Sequence, residues 1–523
     1  MSAVTQCTKS LASKPLKARS PLPRSVYESL CVPVAEPTAR RALAAMEQAK
    51  KHARWIELRL DYLDSTRQID ELLSRLKGIS HLRHTLIFTL RRRNAGGRFG
   101  GSIASQLLWL GRAATLGQWL DLEIETIRTQ GTQIVSQLQR IGAKLIVSSH
   151  DFKETPTHLE HLAKQLLETG GDLIKIAVQA NSLSDAARLL SMQCKLARRG
   201  HRSVVLGMGA CGAVTRVLGP SQGAEFTYAA LTRGKESASG QLTVSALEKI
   251  FRIDRINSRT RIYGLLGCPL SHSLSPALYN AAFAQLGINA IYLPFETGVL
   301  DDFPFWTKRL KVKGLSVTLP HKAGVVKFVS KQDPAARHVG VVNTLRRRQG
   351  RWFGYNTDAR GIEKPLEELG LHLKESEVLL LGAGGAAQGV AAVLREKGAK
   401  VLILNRTLAT AQKLARKFDH RVVRQENLRN HHFALIVNAT SVGMWPEVNK
   451  VPIDLTEVSA DVVFELIYNP PETRLLREAR RRKMQTISGM KMFISQAEAQ
   501  FKILTGKKLP TAIWQEIARR GFS

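Results

Sequence analysis

The chain has 523 residues, too many for one ordinary domain and enough for two or three cores. Hydrophobic residues make up 44% and charged residues 23%, which excludes a disordered polyelectrolyte. The net charge of +34 points to anionic partners such as small carboxylates, a phosphorylated cofactor or nucleic acid; yet Lys and Arg are scattered, and no aromatic-interleaved basic stripe or helix-turn-helix pattern speaks for nucleic acid.

Residues 1–24 carry Lys9, Lys14, Lys17, Arg19 and Arg24 with no acid, and read as a disordered basic tail. An organelle transit peptide is the alternative, so the expected setting is the cytoplasm or else a plastid. Strands are then predicted at Val26–Val32, Trp55–Leu60, Thr85–Leu90, Trp119–Ile124, Lys144–Ser148, Leu173–Val178, Ser203–Met208 and Glu225–Ala230. Amphipathic segments such as Thr38–Arg54 and Leu183–Arg199 separate them. Eight strands alternating with helices predict an α/β fold beginning with a (β/α)8 barrel over 25–250, with a doubly wound open sheet as the structural alternative. His150, Arg91 and Glu125 fall just past strand ends, where barrel active sites lie.

The polar, basic segment 251–261 reads as a linker. Strands restart at Ile262–Gly267, Ala290–Phe295, Gly314–Leu319 and Trp352–Tyr355, then at Glu377–Leu381, Lys400–Leu404, Phe433–Asn438 and Asp461–Ile467. These predict a smaller α/β domain (262–360 with 488–523) enclosing a Rossmann-like dinucleotide-binding domain (361–487). The longest apolar stretch, Val378–Leu394, is broken by Gly and by Gln388, and reads as strand, turn and helix rather than a membrane span. Five cysteines lie far apart with no CxxC, so neither a disulfide framework nor a metal site is expected.

Lys175 lies in the apolar run Leu173–Val178. A free lysine has a pKa of roughly 10.4, and burial among Ile174, Ile176 and Val178 is expected to disfavour its cation and free a nucleophilic lone pair. His150 lies one strand earlier, and Glu57 and Arg59 sit at alternate positions of another. Such a set suits β-elimination from a hydroxy-keto acid: an iminium acidifies the neighbouring C–H, His150 moves the proton, and arginines hold a carboxylate.

With Glu57-Leu58-Arg59-Leu60-Asp61, Phe88-Thr89-Leu90-Arg91, Ser149-His150-Asp151-Phe152, Lys175-Ile176-Ala177-Val178 and Ser237-Ala238-Ser239-Gly240-Gln241, the first 250 residues resemble type I 3-dehydroquinate dehydratase. The resemblance implies that Lys175 forms a Schiff base and His150 is the acid/base. It makes Glu57, Arg59 and Arg91 substrate contacts, and Arg216, Ser237 and Gln241 the carboxylate and hydroxyl grip. Three positions depart from the family pattern: Ala95 for Glu, Ser149 for Asn and Ser239 for Pro.

In the second half Gly382-Ala383-Gly384-Gly385-Ala386-Ala387 follows an apolar strand and opens a helix, the setting for a pyrophosphate at a helix N-terminus. About 20 residues on, where an acid would bind the ribose of NAD, stands Asn405-Arg406-Thr407. Arg406 can stack on adenine and pair with a 2′-phosphate, so NADP is the expected cofactor. Lys322 and Asp358 each end a loop cluster after a strand and form a candidate pair for protonating an oxygen as a hydride reduces its carbonyl.

Residues 261–523 resemble shikimate dehydrogenase, through Gly267-Cys268-Pro269 with His272-Ser273-Leu274-Ser275-Pro276, the segment 317–322, Val342-Asn343-Thr344, Asn356-Thr357-Asp358, Asn438-Ala439-Thr440-Ser441, and Gly489-Met490 with Gln496. The resemblance implies that Ser273 and Ser275 hold the substrate carboxylate. Thr318, Asn343, Asp358 and Gln496 would grip hydroxyls, with Tyr468 nearby. Lys322 and Asp358 would carry catalysis, and Gly382, Ala383, Gly384, Gly385, Ala386, Asn405, Arg406 and Thr407 would bind NADP. Ser316 stands where many relatives have Asn, and Thr410 where many have a second basic residue. The two resemblances together imply a bifunctional enzyme that converts 3-dehydroquinate to 3-dehydroshikimate and then to shikimate, with small-molecule partners, no nucleic acid and no membrane. A quinate/shikimate dehydrogenase with an impaired barrel is the alternative.

Overall fold

The structure, a computed structural model, describes residues 25–77, 85–116, 118–270, 273–510 and 512–513. The basic leader and His272 lie outside the described residues. The chain divides into two compact units with the boundary between Thr260 and Arg261.

In the first unit, β1 (Leu30–Val34), β2 (Trp55–Arg59), β3 (Thr85–Thr89), β4 (Trp119–Glu123), β5 (Lys144–Asp151), β6 (Leu173–Gln179), β7 (Ser203–Met208) and β8 (Thr227–Ala230) are parallel neighbours in chain order. β1 pairs with both β2 and β8, so the sheet curls back on itself. Across the seam between β7 and β8, the Glu225 N–H donates to the Ser203 carbonyl at 2.9 Å. One interior cluster joins Cys31, Trp55, Ile87, Trp119, Ile146, Leu173, Val204 and Tyr228, one residue from each strand. An open sheet could not bring β1 and β5 into one cluster, whereas a barrel interior does. A short strand, β9 (Leu242–Thr243), runs beside β8.

The expected strand Val26–Val32 is instead a helical turn, Val26–Ser29, followed by β1. Ser25 accepts from the Glu28 N–H while the Glu28 carboxylate accepts from the Ser25 N–H, a reciprocal cap that overrides the strand preference of Val26 and Tyr27. At the other end of this unit, Phe251, Ile253 and Ile256 are buried.

The second unit holds two sheets. The first contains β10 (Arg261–Gly267), β11 (Ala290–Glu296), β12 (Val312–Val317), β13 (Val329–Gln332), β14 (Thr344–Arg348) and β15 (Arg351–Tyr355), in the order β11-β10-β12-β14-β15-β13. β12 ends at Val317, two residues short of the expected Leu319. The hairpin β14–β15 turns on Gln349 and Gly350, both with positive φ as a two-residue hairpin turn requires. The C-terminal helix Gly489–Thr505 packs Ala497, Phe501 and Leu504 against Tyr263, Leu265 and Tyr279.

The second sheet contains β16 (Glu377–Leu381), β17 (Lys400–Leu404), β18 (Arg421–Val422), β19 (His431–Asn438), β20 (Val458–Glu465) and β21 (Gln485–Ile487), all parallel, in the order β18-β17-β16-β19-β20-β21. Counted within the sheet this is 3-2-1-4-5-6, the doubly wound dinucleotide-binding order, with its switch point between β16 and β19. The run 378–394 is, as expected, strand β16, a glycine turn and the helix Gly385–Glu396.

Candidate active sites

Successive residues of β6 face opposite sides of the barrel wall. Lys175 points inward with Leu173 and Ala177, both in the interior cluster, while Ile174, Ile176 and Val178 face outward. The expectation that these three surround the amine therefore fails. Lys175, only 2% exposed, ends instead among polar groups. Its Nζ donates to Asp121 Oδ2 at 2.5 Å and to Tyr228 Oη at 3.0 Å, and lies 3.8 Å from Glu57 Oε1.

Asp121 is the hub of this site. Its second oxygen accepts from Ser148 Oγ at 2.6 Å, and an Arg91 Nη lies 3.0 Å from the first. Burial alone would raise its pKa, but Lys175, Arg91 and His150 outweigh that and hold the carboxyl well below the usual range. Glu57 accepts from Thr89 Oγ1 at 2.7 Å. His150 follows Ser148 at the period-two spacing of β5, so both face the interior. Burial, reinforced by Arg91 and Lys175, pushes its pKa well below 6.5 and keeps the imidazole neutral. Its Nδ1 is buried without a hydrogen-bond partner, and its ring stacks on Phe152 at 6.2 Å.

Arg216, on the helix Gly209–Leu218, is 1% exposed, and its Nε and one Nη have no hydrogen-bond partner. Burial lowers its pKa to about 10, which still leaves a cation at neutral pH. A buried, unsatisfied guanidinium is costly and is relieved by an anion. Gln241 presents a buried, unpartnered Nε2, while its Oε1 accepts from the Ser237 N–H at 2.7 Å and Oγ at 3.2 Å. Arg59 is already engaged: two hydrogen bonds, 2.9 and 2.8 Å, fix it to Asp61. Glu125 is the second residue of the helix Ile124–Gln130, with one buried carboxylate oxygen lacking a hydrogen-bond partner.

Asp121, Ser148, Thr89 and Tyr228 escaped the sequence reading. The signal for Asp121 was present: Trp119-Leu120-Asp121-Leu122-Glu123 alternates acids with apolar residues, as Glu57 and Arg59 alternate on β2. Glu123 serves as a buried anchor, accepting from the Arg92 N–H and from Gln106 Nε2.

In the second unit Lys322 Nζ donates to Asp358 Oδ2 at 2.6 Å. Asp358 opens the helix Asp358–Glu368, and its other oxygen accepts from Asn343 Nδ2 at 2.8 Å. Asn343 Oδ1 accepts from the Thr357 N–H at 2.9 Å, so its amide is oriented from both ends. Gln500, unforeseen, donates to the Asn343 carbonyl at 3.1 Å and accepts from Tyr279 and Ser316 hydroxyls at 2.8 and 2.7 Å. The Tyr292 hydroxyl donates to Ser316 Oγ at 2.6 Å, so Ser316 is the middle of a buried hydroxyl chain.

Ser273 Oγ accepts from the Ser275 N–H at 3.2 Å, where the helix Ser275–Gln285 begins. Thr318 follows β12 in the loop that carries Lys322, which His321 anchors through a 2.6 Å contact to the Thr297 carbonyl. Gln496 packs closely on Gly361: a Cβ there would lie 2.9 Å from Gln496 Cβ. The Tyr468 ring lies 5.2 Å from that of Phe493 on the same C-terminal helix.

At the end of β16, Gly382 takes φ +106°, and a Cβ there would press on Thr440 and Ala439 at 3.0 and 3.1 Å. Gly384, Gly385 and Ala386 are exposed at the start of the helix Gly385–Glu396, which no side chain caps. A Cβ on Gly384 would meet nothing within 4 Å. An uncapped, open helix start at the switch point fits a pyrophosphate. Asn405, Arg406 and Thr407 follow β17, whose Leu404 pairs with Leu381, so they stand beside the glycine turn. Asn405 Nδ2 bonds the Thr407 carbonyl at 2.9 Å and Arg406 is exposed, a donor set that fits a 2′-phosphate. Behind the turn, buried Glu465 receives Asn438 Nδ2, Thr473 Oγ1 and the Ile467 N–H, yet burial prevails and pushes its pKa up to about 7.

A barrel with a buried lysine, joined to a two-sheet unit with a dinucleotide turn and a Lys–Asp pair, is the architecture of a two-enzyme chain. Residues 30–258 match the family model of type I 3-dehydroquinase, residues 265–345 that of the shikimate dehydrogenase substrate binding domain, and residues 364–442 that of shikimate / quinate 5-dehydrogenase. The bifunctional 3-dehydroquinate dehydratase/shikimate dehydrogenase of Arabidopsis thaliana, described as chloroplastic, is 32% identical over 514 residues, covering 93% of this chain and 84% of its own. The shikimate dehydrogenase (NADP(+)) of Geobacillus sp. (strain WCH70) is 38% identical over 257 residues, 47% of this chain and 93% of its own. The shikimate 5-dehydrogenase structure from Thermus thermophilus, in complex with NADP(H) and shikimate, covers 50% of this chain and 99% of its own at 35% identity and a TM-score of 0.46. The chain belongs to the family of bifunctional 3-dehydroquinate dehydratase/shikimate dehydrogenases.

Proposed function

We propose that this chain performs the family's two reactions in order: dehydration of 3-dehydroquinate in the barrel, then NADPH-dependent reduction of 3-dehydroshikimate to shikimate in the second unit. The observation that carries the first reaction is the buried Lys175 amine, hydrogen-bonded to Asp121 and Tyr228, in a barrel that also holds the unsatisfied guanidinium of Arg216. Lys175 attacks the ketone and forms an imine, which acidifies the adjacent C–H. His150, held neutral by burial, takes that proton and delivers it to the departing β-hydroxyl. Arg216 and the free amide of Gln241 receive the substrate carboxylate, with Ser237, Glu57, Arg59 and Arg91 framing the hydroxyls.

In the second unit a bound NADPH would supply the hydride that reduces the ketone. Gly382, Ala383, Gly384, Gly385 and Ala386 would hold its pyrophosphate, and Asn405, Arg406 and Thr407 its adenosine phosphate. Ser273 and Ser275 grip the substrate carboxylate, while Thr318, Asn343, Gln496 and Tyr468 orient the ring. Lys322 protonates the forming alkoxide, with Asp358 holding the ammonium in place. In this reading residues 262–360 and 488–523 bind the substrate and 361–487 the cofactor. The setting is the cytoplasm, or a plastid should the basic leader act as a transit peptide. No helix among the described residues is long and apolar enough to cross a membrane.

The deciding experiment incubates the full chain with 3-dehydroquinate and borohydride, and in parallel with 3-dehydroquinate and NADPH. The expected results are a reduced adduct on Lys175 and the appearance of shikimate. An adduct elsewhere, or none, overturns the dehydratase assignment; dehydroshikimate that accumulates unreduced overturns the dehydrogenase assignment.

A further inference from the structure

Imine formation needs a proton path of its own. The ammonium of Lys175 carries three protons; two must leave with the carbonyl oxygen as water and one stays on the iminium nitrogen. His150 acts in the later step, on the C–H proton and the departing β-hydroxyl, and among the described residues no hydrogen bond joins it to Lys175 Nζ. Two groups touch Nζ: the Asp121 carboxylate at 2.5 Å and the Tyr228 hydroxyl at 3.0 Å. The phenol oxygen accepts from Nζ, so its own hydrogen points elsewhere, and no acceptor for that hydrogen is found among the described residues. The oxygen of a carbinolamine sits one bond angle away from Nζ, so a hydroxyl within hydrogen-bond reach of the nitrogen is within reach of that oxygen as well. Tyr228 is held in place by its β8 register with Cys31 and by edge-on packing on Phe226 at 5.4 Å. Burial pushes its pKa well above 10, so it stays a protonated acid at neutral pH.

We infer that Tyr228 is a catalytic residue of the dehydratase site, the relay that carries protons from Lys175 Nζ to the ketone oxygen during imine formation. The inference rests on the proposed Schiff-base role of Lys175. In the first step Nζ passes one proton to Asp121; losing the lysine cation removes the strongest influence that depressed that carboxyl. The neutral amine then forms the N–C bond, and the C=O electron pair moves to oxygen. The phenol gives its proton to this alkoxide and takes one from Nζ, which leaves a neutral carbinolamine and a restored phenol. As the C–O bond breaks, the phenol protonates the leaving hydroxyl, the nitrogen lone pair forms the iminium, and the proton stored on Asp121 returns to the phenolate. The balance is one ammonium and one ketone giving one iminium and one water, with Asp121 and Tyr228 unchanged.

The test is Tyr228→Phe in the full chain, followed by pre-steady-state borohydride trapping with 3-dehydroquinate. Trapping on Lys175 is expected to slow by at least about tenfold, within the range that positioned acid–base groups supply. The turnover isotope effect for substrate deuterated next to the ketone is expected to fall toward one, because imine formation becomes the slow step. Unchanged trapping, or slower turnover with the isotope effect retained, overturns the inference. Should Y228F fail to fold by thermal unfolding, the wild-type chain answers: its trapping rate in H2O/D2O mixtures should show a curved dependence from several protons in flight, and a linear or absent dependence overturns the relay. If the wild-type chain forms no adduct on Lys175 at all, the Schiff-base reading fails first, which is a separate result.

Discussion

Lys175 and Asp121, separated by 54 residues and by the intervening strand β5, meet inside the barrel at 2.5 Å, with 3% of the lysine side chain and 0% of the aspartate side chain exposed. Removing one partner of a buried pair strands the other charge, at a cost of about 3–5 kcal/mol. Here Arg91 would be stranded too, since it shares the same carboxylate oxygen. Asp121→Asn is therefore expected to lower the unfolding midpoint of the full chain in urea and to abolish trapping on Lys175. An unchanged midpoint would mean that Glu57, 3.8 Å from Nζ, suffices as counter-ion.

Arg216 leads to the opposite expectation for stability. Its guanidinium is buried and incompletely bonded, so Arg216→Met should raise the thermal stability of the substrate-free chain by roughly 1–4 kcal/mol. The same change should raise KM for 3-dehydroquinate by about tenfold or more, the worth of one charge-assisted contact. Differential scanning calorimetry and initial-rate kinetics check the two halves of this prediction.

Arg406 is exposed beside the glycine turn, and Thr410 supplies no second basic side chain. Arg406→Asp is expected to lower kcat/KM for NADPH by about 10–100-fold while leaving NADH use nearly unchanged. Equal losses with both cofactors would remove the 2′-phosphate from this position.

Glu465 predicts a pH dependence of stability. Burial raises its pKa from 4.5 to about 7 in the folded state. The folded state therefore binds the proton more tightly than the unfolded one. This contribution is full below pH 4.5 and is lost as the pH rises through about 7, a total of roughly 3 kcal/mol. Urea unfolding of wild type and Glu465→Gln across this window should diverge on the alkaline side, with the variant losing less. Parallel curves would mean that the donors Asn438, Thr473 and Ile467 already hold the carboxylate ionised.

The architecture was legible wherever a long periodic pattern met a turn signal. Seven of the eight barrel strands fall where they were expected, and so do four of the six strands of the dinucleotide-type sheet, whose edge strands β18 and β21 are too short to carry a pattern. The exception at Val26 arose because a two-residue cap, Ser25 with Glu28, outweighs local strand preference. β13 and β14 were missed because their faces are polar: Arg346, Arg347 and Arg348 conceal the strand rhythm, and only the hairpin ladder with β15 reveals it. Within the sites, motif context paired Lys322 with Asp358 and put Lys175 one strand after His150, and the structure has them so placed. Asp121, Tyr228 and Gln500 were not legible, since their importance lies in whom they touch across the fold, at separations of 53 residues or more. Reading β6 as a continuous apolar run also hid that its alternation aims Lys175 into the barrel, where Asp121 on β4 and Tyr228 on β8 meet it, which is why the amine is paired rather than wrapped in hydrocarbon.

Every side chain assigned to dehydration lies before residue 260, and every one assigned to reduction lies after it. Genetically the two activities should behave as separate complementation groups carried on one message. A host lacking only its dehydratase should be rescued by a chain with a ruined Lys322, and a host lacking only its dehydrogenase by a chain with a ruined Lys175. A double-deficient host should grow when those two damaged chains are expressed together, the freely diffusing ketoacid linking one to the other.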